Sequence, residues 1–385
     1  MQQQKSIFIY GFAIFAMFFG SGNLVFPLQI GYASGTGWIY GFIGLLLTGI
    51  CLPLMGLFVI KLHQGNYRSF FNEAGSFAGV FLPLVLLSLL GSFGVVPRCI
   101  TVAYGSVSYL LPQIPLGLFS LLFCIVTFFC CINDRIMINV LGKWMSPILL
   151  LILMVLIGMA IFKAPVTTTG IKPYASLSNG FFSGYQTMDL FAAFFFSALI
   201  FNQIQQQLQN ASHKDVIRYA LKPSLLGAGL LALVYYGFVF LGAHYAPMLQ
   251  GVKPELMLPA IAVNTFGNQA TLLMGLAMLF SCLTTAVALN NLFARYLQSS
   301  LNMSERQFYL ILAGTTGISF IISLLDFKGI GAFLAPILQI TYPGIIALTI
   351  MGLIMRKHRR LKMAVFYLIT LFVAIASLAM TSTSG

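Results

Sequence analysis

Long unbroken runs of apolar residues, separated by short polar connections, recur along almost the whole chain. A helix crossing roughly 30 Å of hydrocarbon needs about 20 such residues. The runs predict eleven spans, at about 6–32, 38–61, 79–111, 116–132, 139–163, 180–206, 217–243, 268–297, 305–325, 329–355 and 361–381. An outer-membrane barrel would alternate polar and apolar residues in short segments, and these runs do not alternate. The fold class is therefore all-α integral membrane. The third run is about 33 residues long, so it is strongly tilted or projects beyond the bilayer. Connections are too short for a soluble domain. Two are longer, 164–180 and 244–267, and the second carries Pro247, Pro254 and Pro259 around an apolar piece that predicts a short helix over the entrance.

Composition agrees: of 385 residues, 59% are hydrophobic and 7% charged, against about 25% charged in a soluble domain. The net charge of +13 invites a nucleic-acid reading. Its distribution argues for topology instead. With the N-terminus inside, fifteen Lys and Arg fall on inner segments: Lys5, Lys61, Arg68, Arg135, Lys143, Lys214, Arg218, Lys222, Arg295, Arg306, Arg356, Lys357, Arg359, Arg360 and Lys362. Four (Lys163, Lys172, Lys253, Lys328) fall outside, and Arg98 alone lies within a span. That bias predicts a multi-pass membrane protein with its N-terminus inside and its C-terminus outside. Lys5 before an apolar run mimics a signal peptide, but the run reaches Ile30 and further spans follow, which predicts a retained helix. The six cysteines lie in or at the ends of apolar runs without metal-ligand spacing, and predict buried free thiols.

The first span is interrupted at Gly20-Ser21-Gly22-Asn23, with Pro27 four residues on. Each glycine costs about 1 kcal/mol of helix stability, and proline removes a backbone donor. Backbone groups freed in lipid must be satisfied by protein, water or ligand. Broken helices at the midplane are how many secondary transporters build sites, with helix N-termini facing anionic groups and unwound carbonyls holding a cation. The alternative is close helix packing through small residues. The sixth span stands five spans later, as a five-plus-five inverted repeat would place it (about 6–163 and 180–355, with an extra helix at about 361–381). A matching break is expected near Phe194–Ala198, with Phe194, Phe195 and Ser197 beside an apolar substrate side chain. Phe is equally at home in any membrane core.

In the eighth span Ser281, Thr284 and Thr285 share one helical face. Their hydroxyls, with unwound carbonyls, would make a neutral oxygen shell for a monovalent cation. Back-bonding to their own helix is the alternative. Arg98 and Asp189 are ionisable residues inside spans, where charge is expensive and paired or functional. Both fall in the outer half and are expected to pair, as a gate or a structural clamp.

At these residues the chain resembles the branched-chain amino acid:cation symporter family of bacteria. The motifs are Phe18-Phe19-Gly20-Ser21-Gly22-Asn23-Leu24-Val25-Phe26-Pro27, Pro97-Arg98, Gly184-Tyr185-Gln186-Thr187-Met188-Asp189 and Cys282-Leu283-Thr284-Thr285-Ala286. The resemblance implies uptake of leucine, isoleucine and valine driven by Na⁺ or H⁺. The first motif is also similar to the leucine-transporter-fold superfamily, with discontinuous helices 1 and 6. By that similarity Ser21 and Gly22 offer N–H groups to the substrate carboxylate. Carbonyls of Ala16 and Phe19, with Ser281, Thr284 and Thr285, would form a sodium site. Asn23 aligns with a residue that holds another sodium in some members, and here bonds an ion, substrate or backbone. The family commonly has twelve spans, one more than found here.

An enzyme would need a polar catalytic cluster. The four histidines (His63, His213, His244, His358) sit at loops or span ends without nucleophile–base or metal spacing. A channel would want polar rings or a repeated filter, and neither occurs. Expected partners are an amino acid and the lipid bilayer, with no nucleic acid, no obligatory protein partner, and no cofactor or metal beyond the coupling ion. A symporter for another neutral amino acid is the runner-up.

Overall fold

The computed structural model describes residues 2–132, 146–166, 170–207, 213–355 and 358–383. Helices dominate, as they must where each backbone group has to find its partner inside its own segment. The first span is two helices, α1 (Gln2–Phe18) and α2 (Ser21–Ser34), bent by 72°. The second is α3 (Trp38–Leu62) with a π-turn at Leu47–Cys51. A short helix α4 (Tyr67–Phe71), capped by Asn66 accepting from Ser69 N–H at 3.0 Å, leads to the third span. That span is α5 (Ser76–Leu90) and α6 (Val95–Leu110), interrupted at Gly91–Gly94 where one tilted helix was expected. Then come α7 (Leu116–Ile132), α8 (Ser146–Phe162), α9 (Pro173–Tyr185), α10 (Asp189–Gln207) and α11 (His213–His244). A connecting helix α12 (Met257–Phe266) precedes α13 (Asn268–Ser300), α14 (Glu305–Ser323), α15 (Asp326–Ile354) and α16 (Arg359–Thr383). Among the described residues six helices are long and apolar enough to span a bilayer alone, α5 and α6 counted together, and α1–α2 and α9–α10 pass as two broken spans. With α7, α8 and α14 this is compatible with eleven crossings. The first seven residues of the expected 139–163 span, Lys143 among them, and Arg135, Arg356 and Lys357 lie outside the described residues.

Two helix groups emerge from the packing. One holds α1–α2, α3, α9–α10 and α11; the other holds α5–α6, α7, α13 and α14. Glycines permit the closest crossings of the first group. A Cβ at Gly31 would overlap the Val239 carbonyl, and one at Gly242 the Leu28 carbonyl, so α2 and α11 touch backbone to backbone. The same holds for Gly180 against the Gly41 carbonyl and Gly44 against the Leu177 carbonyl, where α3 meets α9. Lipid tails supply no hydrophobic drive between helices, so such close fit carries the association. Outward-facing Phe129, Leu151 and Leu368 leave an apolar exterior of the kind a bilayer solvates. Cys51 also faces outward, unlike the buried thiol expected, because it lies on the outer side of the π-turn; Cys99, Cys124, Cys131 and Cys282 are buried.

The last helix is tied to the loop between α3 and α5. Lys362 Nζ lies 2.6 Å from Glu73, and Arg359 Nε donates to the Asn72 carbonyl at 3.1 Å. His63 stands 3.6 Å from the same carboxylate. Burial holds its imidazole below the ordinary range despite the opposing pull of Glu73. Of the two, Lys362 makes the closer contact with Glu73.

Gly180→Ala and Gly31→Ala are expected to destabilise the protein by about 1–3 kcal/mol, as overpacking does. Gly158→Ala, where a Cβ would meet nothing within 4 Å, should not. Melting temperatures of the purified protein in detergent check this.

Candidate functional site

The first break begins where Gly20 turns to extended backbone, φ −115° and ψ −160°. Its N–H donates to the Phe18 carbonyl at 2.8 Å, so it does not bond the Ala16 carbonyl four residues back. The first helical bond of α2 runs from Leu24 N–H to the Gly20 carbonyl at 3.3 Å. Ser21 N–H faces the Cys99 thiol, whose Sγ also lies 3.5 Å from Ser21 Oγ, and the next N–H of the first turn, that of Gly22, is left for an anionic ligand. Glycine is required by contact: a Cβ at Gly20 would lie 2.8 Å from Thr285 Cγ2, and one at Gly22 3.2 Å from Thr187 Cα. Pro27 lies inside α2, downstream of the break.

The second break is at Gln186-Thr187-Met188, eight residues before the expected Phe194–Ala198, with a bend of 44°. Met188 takes φ +60°, a left-handed conformation that a non-glycine residue holds only when its surroundings impose it. Thr187 Oγ1 donates to the Gly184 carbonyl at 2.8 Å and accepts from Asp189 N–H at 3.5 Å. Polar side chains satisfy this break, which is why no glycine marks it. Phe194, Phe195 and Ser197, expected beside the substrate, sit within α10 and pack away from the break. Phe194 lies 5.2 Å from Phe70 and 5.3 Å from Phe71 between ring centroids, and Phe195 lies 5.0 Å from Tyr67. Ser197 Oγ donates to the Leu57 carbonyl at 2.8 Å. They fasten α10 to α3 and α4.

Between the breaks lies a narrow cavity of about 20 Å³. Ser21, Asn23, Arg98, Gln186, Thr187 and Asp189 make its polar wall. Met17, Phe18, Leu90, Val95, Phe196 and Leu289 make the apolar one. Asn23 spans the first break: its amide donates to the Phe18 carbonyl at 2.9 Å, to Asp189 Oδ2 at 3.1 Å and to Tyr235 OH. Tyr235 OH in turn donates to Asp189 Oδ2 at 3.0 Å.

The expected Arg98–Asp189 pair is not formed. Arg98 Nη1 and Nη2 donate to the backbone carbonyl and Oε1 of Gln186, both at 2.8 Å. Its guanidinium also lies 5.3 Å from the Phe26 ring and 5.6 Å from the Phe327 ring. Asp189 opens α10 and faces Asn23 and Tyr235. The rotation of α6 and α10 therefore gives each charge a neutral partner.

Of the hydroxyl triplet, Ser281 Oγ donates to the Phe19 carbonyl at 2.8 Å and Thr285 Oγ1 to the same carbonyl at 3.4 Å. Thr284 Oγ1 bonds back to the Ser281 carbonyl at 2.8 Å. No hydroxyl of α13 bonds the Ala16 carbonyl among the described residues. The structure thus joins Phe19, Ser281 and Thr285 and leaves Thr284 on its own helix. Sequence reasoning missed Gln186, Thr187 and Tyr235 as site residues. Gln186, Thr187 and Asp189 within four positions of an apolar span were a readable signal; a tyrosine in an apolar helix was not. Among the described residues no group of three or more His, Cys, Asp or Glu could hold a metal.

Residues 3–384 match the family model described as branched-chain amino acid transport protein. The chain belongs to that family. Among its curated relatives, the branched-chain amino acid permease BraB of Bacillus subtilis (strain 168) is 29% identical over 371 residues, covering 92% of this chain and 82% of the relative. The permease BrnQ of Haemophilus influenzae is 28% identical over 378 residues, 94% of this chain and 84% of the relative. These relatives are named as permeases, which sets the protein among transporters rather than enzymes. In fold it is similar to inward-facing Mhp1, with TM-score 0.63 at 14% identity, covering 97% of this chain and 91% of Mhp1. It is similar also to MhsT in complex with L-phenylalanine, with TM-score 0.60 at 14% identity, covering 94% of this chain and 98% of MhsT. The family member thus has the leucine-transporter fold.

Gly20→Ala should cost about 1–3 kcal/mol through its clash with Thr285. Gly20→Ala/Thr285→Ser, which removes Cγ2, should recover most of that loss. Thermal unfolding of both variants in detergent measures the coupling.

Proposed function

We propose that the protein is a secondary active symporter importing leucine, isoleucine and valine across the bacterial cytoplasmic membrane, coupled to Na⁺, by alternating access. The observation that carries this reading is the cavity enclosed by two facing helix breaks, with one polar and one apolar wall. The polar wall and the N–H groups of Ser21 and Gly22, the first of which would leave the Cys99 thiol for the ligand, suit an α-carboxylate. The apolar wall of Phe18, Leu90, Val95, Phe196 and Leu289 suits a branched aliphatic side chain. It takes over the place first given to Phe194 and Phe195. Relatives of this chain named branched-chain amino acid permeases support the substrate class.

For the cation, the Phe19 carbonyl with Ser281 and Thr285 supplies oxygens already gathered at the first break. The Ala16 carbonyl, freed of its helical donor, ends α1 just before the break. Thr284 joins only if its hydroxyl leaves the Ser281 carbonyl. The proton is a second reading of the coupling ion, favoured by one observation: the buried carboxylate of Asp189 has neutral partners. The family supports one domain of two five-helix repeats, about 6–163 and 180–355, with an extra helix at about 361–381. The fifteen-to-four charge bias supports an inner N-terminus.

Alternating access then follows from where the contacts lie. The group of α1–α2, α3, α9–α10 and α11 moves against the group of α6 and α13. The contacts that must exchange are Arg98 on Gln186 and Ser281 on Phe19. Both tie a break of the moving group to a helix of the other.

Labelled leucine uptake into proteoliposomes, with Na⁺ and H⁺ gradients imposed separately, should saturate and require Na⁺. Uptake that is neither saturable nor gradient-dependent overturns the reading, and uptake driven by H⁺ alone selects the proton. Ser281→Ala and Thr285→Ala should each raise the half-saturating Na⁺ concentration about tenfold, the loss of about 1.4 kcal/mol. The order of preference among leucine, isoleucine and valine should not change.

A further inference from the structure

Two ionisable side chains, Arg98 and Asp189, line the cavity and neither has an ionic partner among the described residues. Arg98 is 1% exposed and Asp189 3%. Each contributes to the polar wall. Arg98 spends its terminal nitrogens on the neutral Gln186, and its buried Nε has no acceptor. No carboxylate stands within ion-pair distance of it among the described residues. Asp189 accepts from the amide of Asn23 and the hydroxyl of Tyr235, both neutral. A buried charge without a counter-charge is strongly unfavourable, and inside a membrane protein it marks function. A single apolar or singly charged ligand would relieve at most one of them.

The two groups line the same cavity. Arg98 is fixed to Gln186, and Gln186 stands three positions before Asp189 across the second break. A ligand that carries a carboxylate and an ammonium on one carbon presents opposite charges to the two sides of such a cavity. We propose that Arg98 and Asp189 form a zwitterion clamp: the guanidinium takes the α-carboxylate through Nε, beside the N–H of Gly22 in the first turn of α2, and Asp189 takes the α-ammonium. The clamp rests on the transport reading above and deepens it. It makes the site selective for α-amino acids over the amines, alcohols and carboxylic acids that carry the same side chain. It also explains why two such groups lining one cavity are held apart by Gln186, Asn23 and Tyr235. A direct Arg98–Asp189 pair would compete with the ligand for both ends.

The test is a cycle between protein groups and ligand groups, read by competition against labelled leucine on the purified full chain in detergent. The probes are leucine, leucinol (no carboxylate) and 4-methylpentanoate (no ammonium). Wild type should bind each analogue at least about tenfold more weakly than leucine, the scale of one charge-assisted contact. In Arg98→Gln the leucine-to-leucinol preference should collapse while the leucine-to-4-methylpentanoate preference persists. In Asp189→Asn the pattern should reverse. Arg98→Lys and Asp189→Glu, which keep the charge, carry the same cycle with smaller changes if the neutral variants do not fold. Equal loss of affinity for all three probes means a packing role and overturns the clamp. Preferences unchanged from wild type overturn it too. So does an Asp189→Asn variant that keeps its preference but loses a pH dependence of binding, which would make Asp189 a proton carrier. Failure of wild type to bind leucine at all sinks the transport reading itself, and is distinct from these outcomes.

Discussion

Everything in this molecule answers to one constraint: a backbone group released from a helix inside hydrocarbon must find another partner. Two helices are broken mid-membrane, and the partners of their freed groups can be traced. At the first break, the Phe18 carbonyl takes Gly20 N–H and the amide of Asn23. The Phe19 carbonyl takes the hydroxyls of Ser281 and Thr285. At the second, the Gly184 carbonyl takes Thr187, and the Gln186 carbonyl takes Arg98. What stays unclaimed, the N–H of Gly22 in the first turn of α2 and the Ala16 carbonyl in the last turn of α1, flanks the first break. The site is the remainder of that accounting.

The glycine crossings decide which side chains can reach the breaks. α2 and α11 touch backbone to backbone at Gly31, Val239, Leu28 and Gly242. Tyr235 lies one turn before Val239 on α11, and that close approach puts its hydroxyl on Asp189. A wider crossing would leave Asp189 with Asn23 alone. Fold and site are therefore coupled through residues that touch no ligand.

Arg98 plays a different part from any other polar residue here. It belongs to α6, yet it bonds the break between α9 and α10 and lies over the rings of Phe26 of α2 and Phe327 of α15, which pack 5.7 Å apart. One guanidinium thus joins α6 to the α9–α10 break, to α2 and to α15. Ring faces and neutral oxygens hold it without neutralising it, so its charge remains available at the cavity.

Much of this was legible in the residues alone. Spans follow from transfer energy summed over about 20 neighbouring positions, which is a local quantity, so apolar runs mark where the described helices stand. The first break was legible because its cost is local too: Gly20, Gly22 and Pro27 weaken a helix wherever it sits. The shared face of Ser281 and Thr285 followed from helical periodicity. The second break was not legible, because Gln186-Thr187-Met188 contains no intrinsic breaker and stays open only through Arg98 and Thr187. Phe194 and Phe195 misled for a related reason: aromatic residues suit a binding pocket and a packed core alike, and Phe70, Phe71 and Tyr67, distant in sequence, claimed them for the core. The fate of Arg98 and Asp189 shows the boundary most clearly. Depth in the membrane is set by position along the chain, and it put both charges in one half of the bilayer. Whether they meet depends on how α6 and α10 are rotated about their axes, and only the packing of every neighbouring helix sets that.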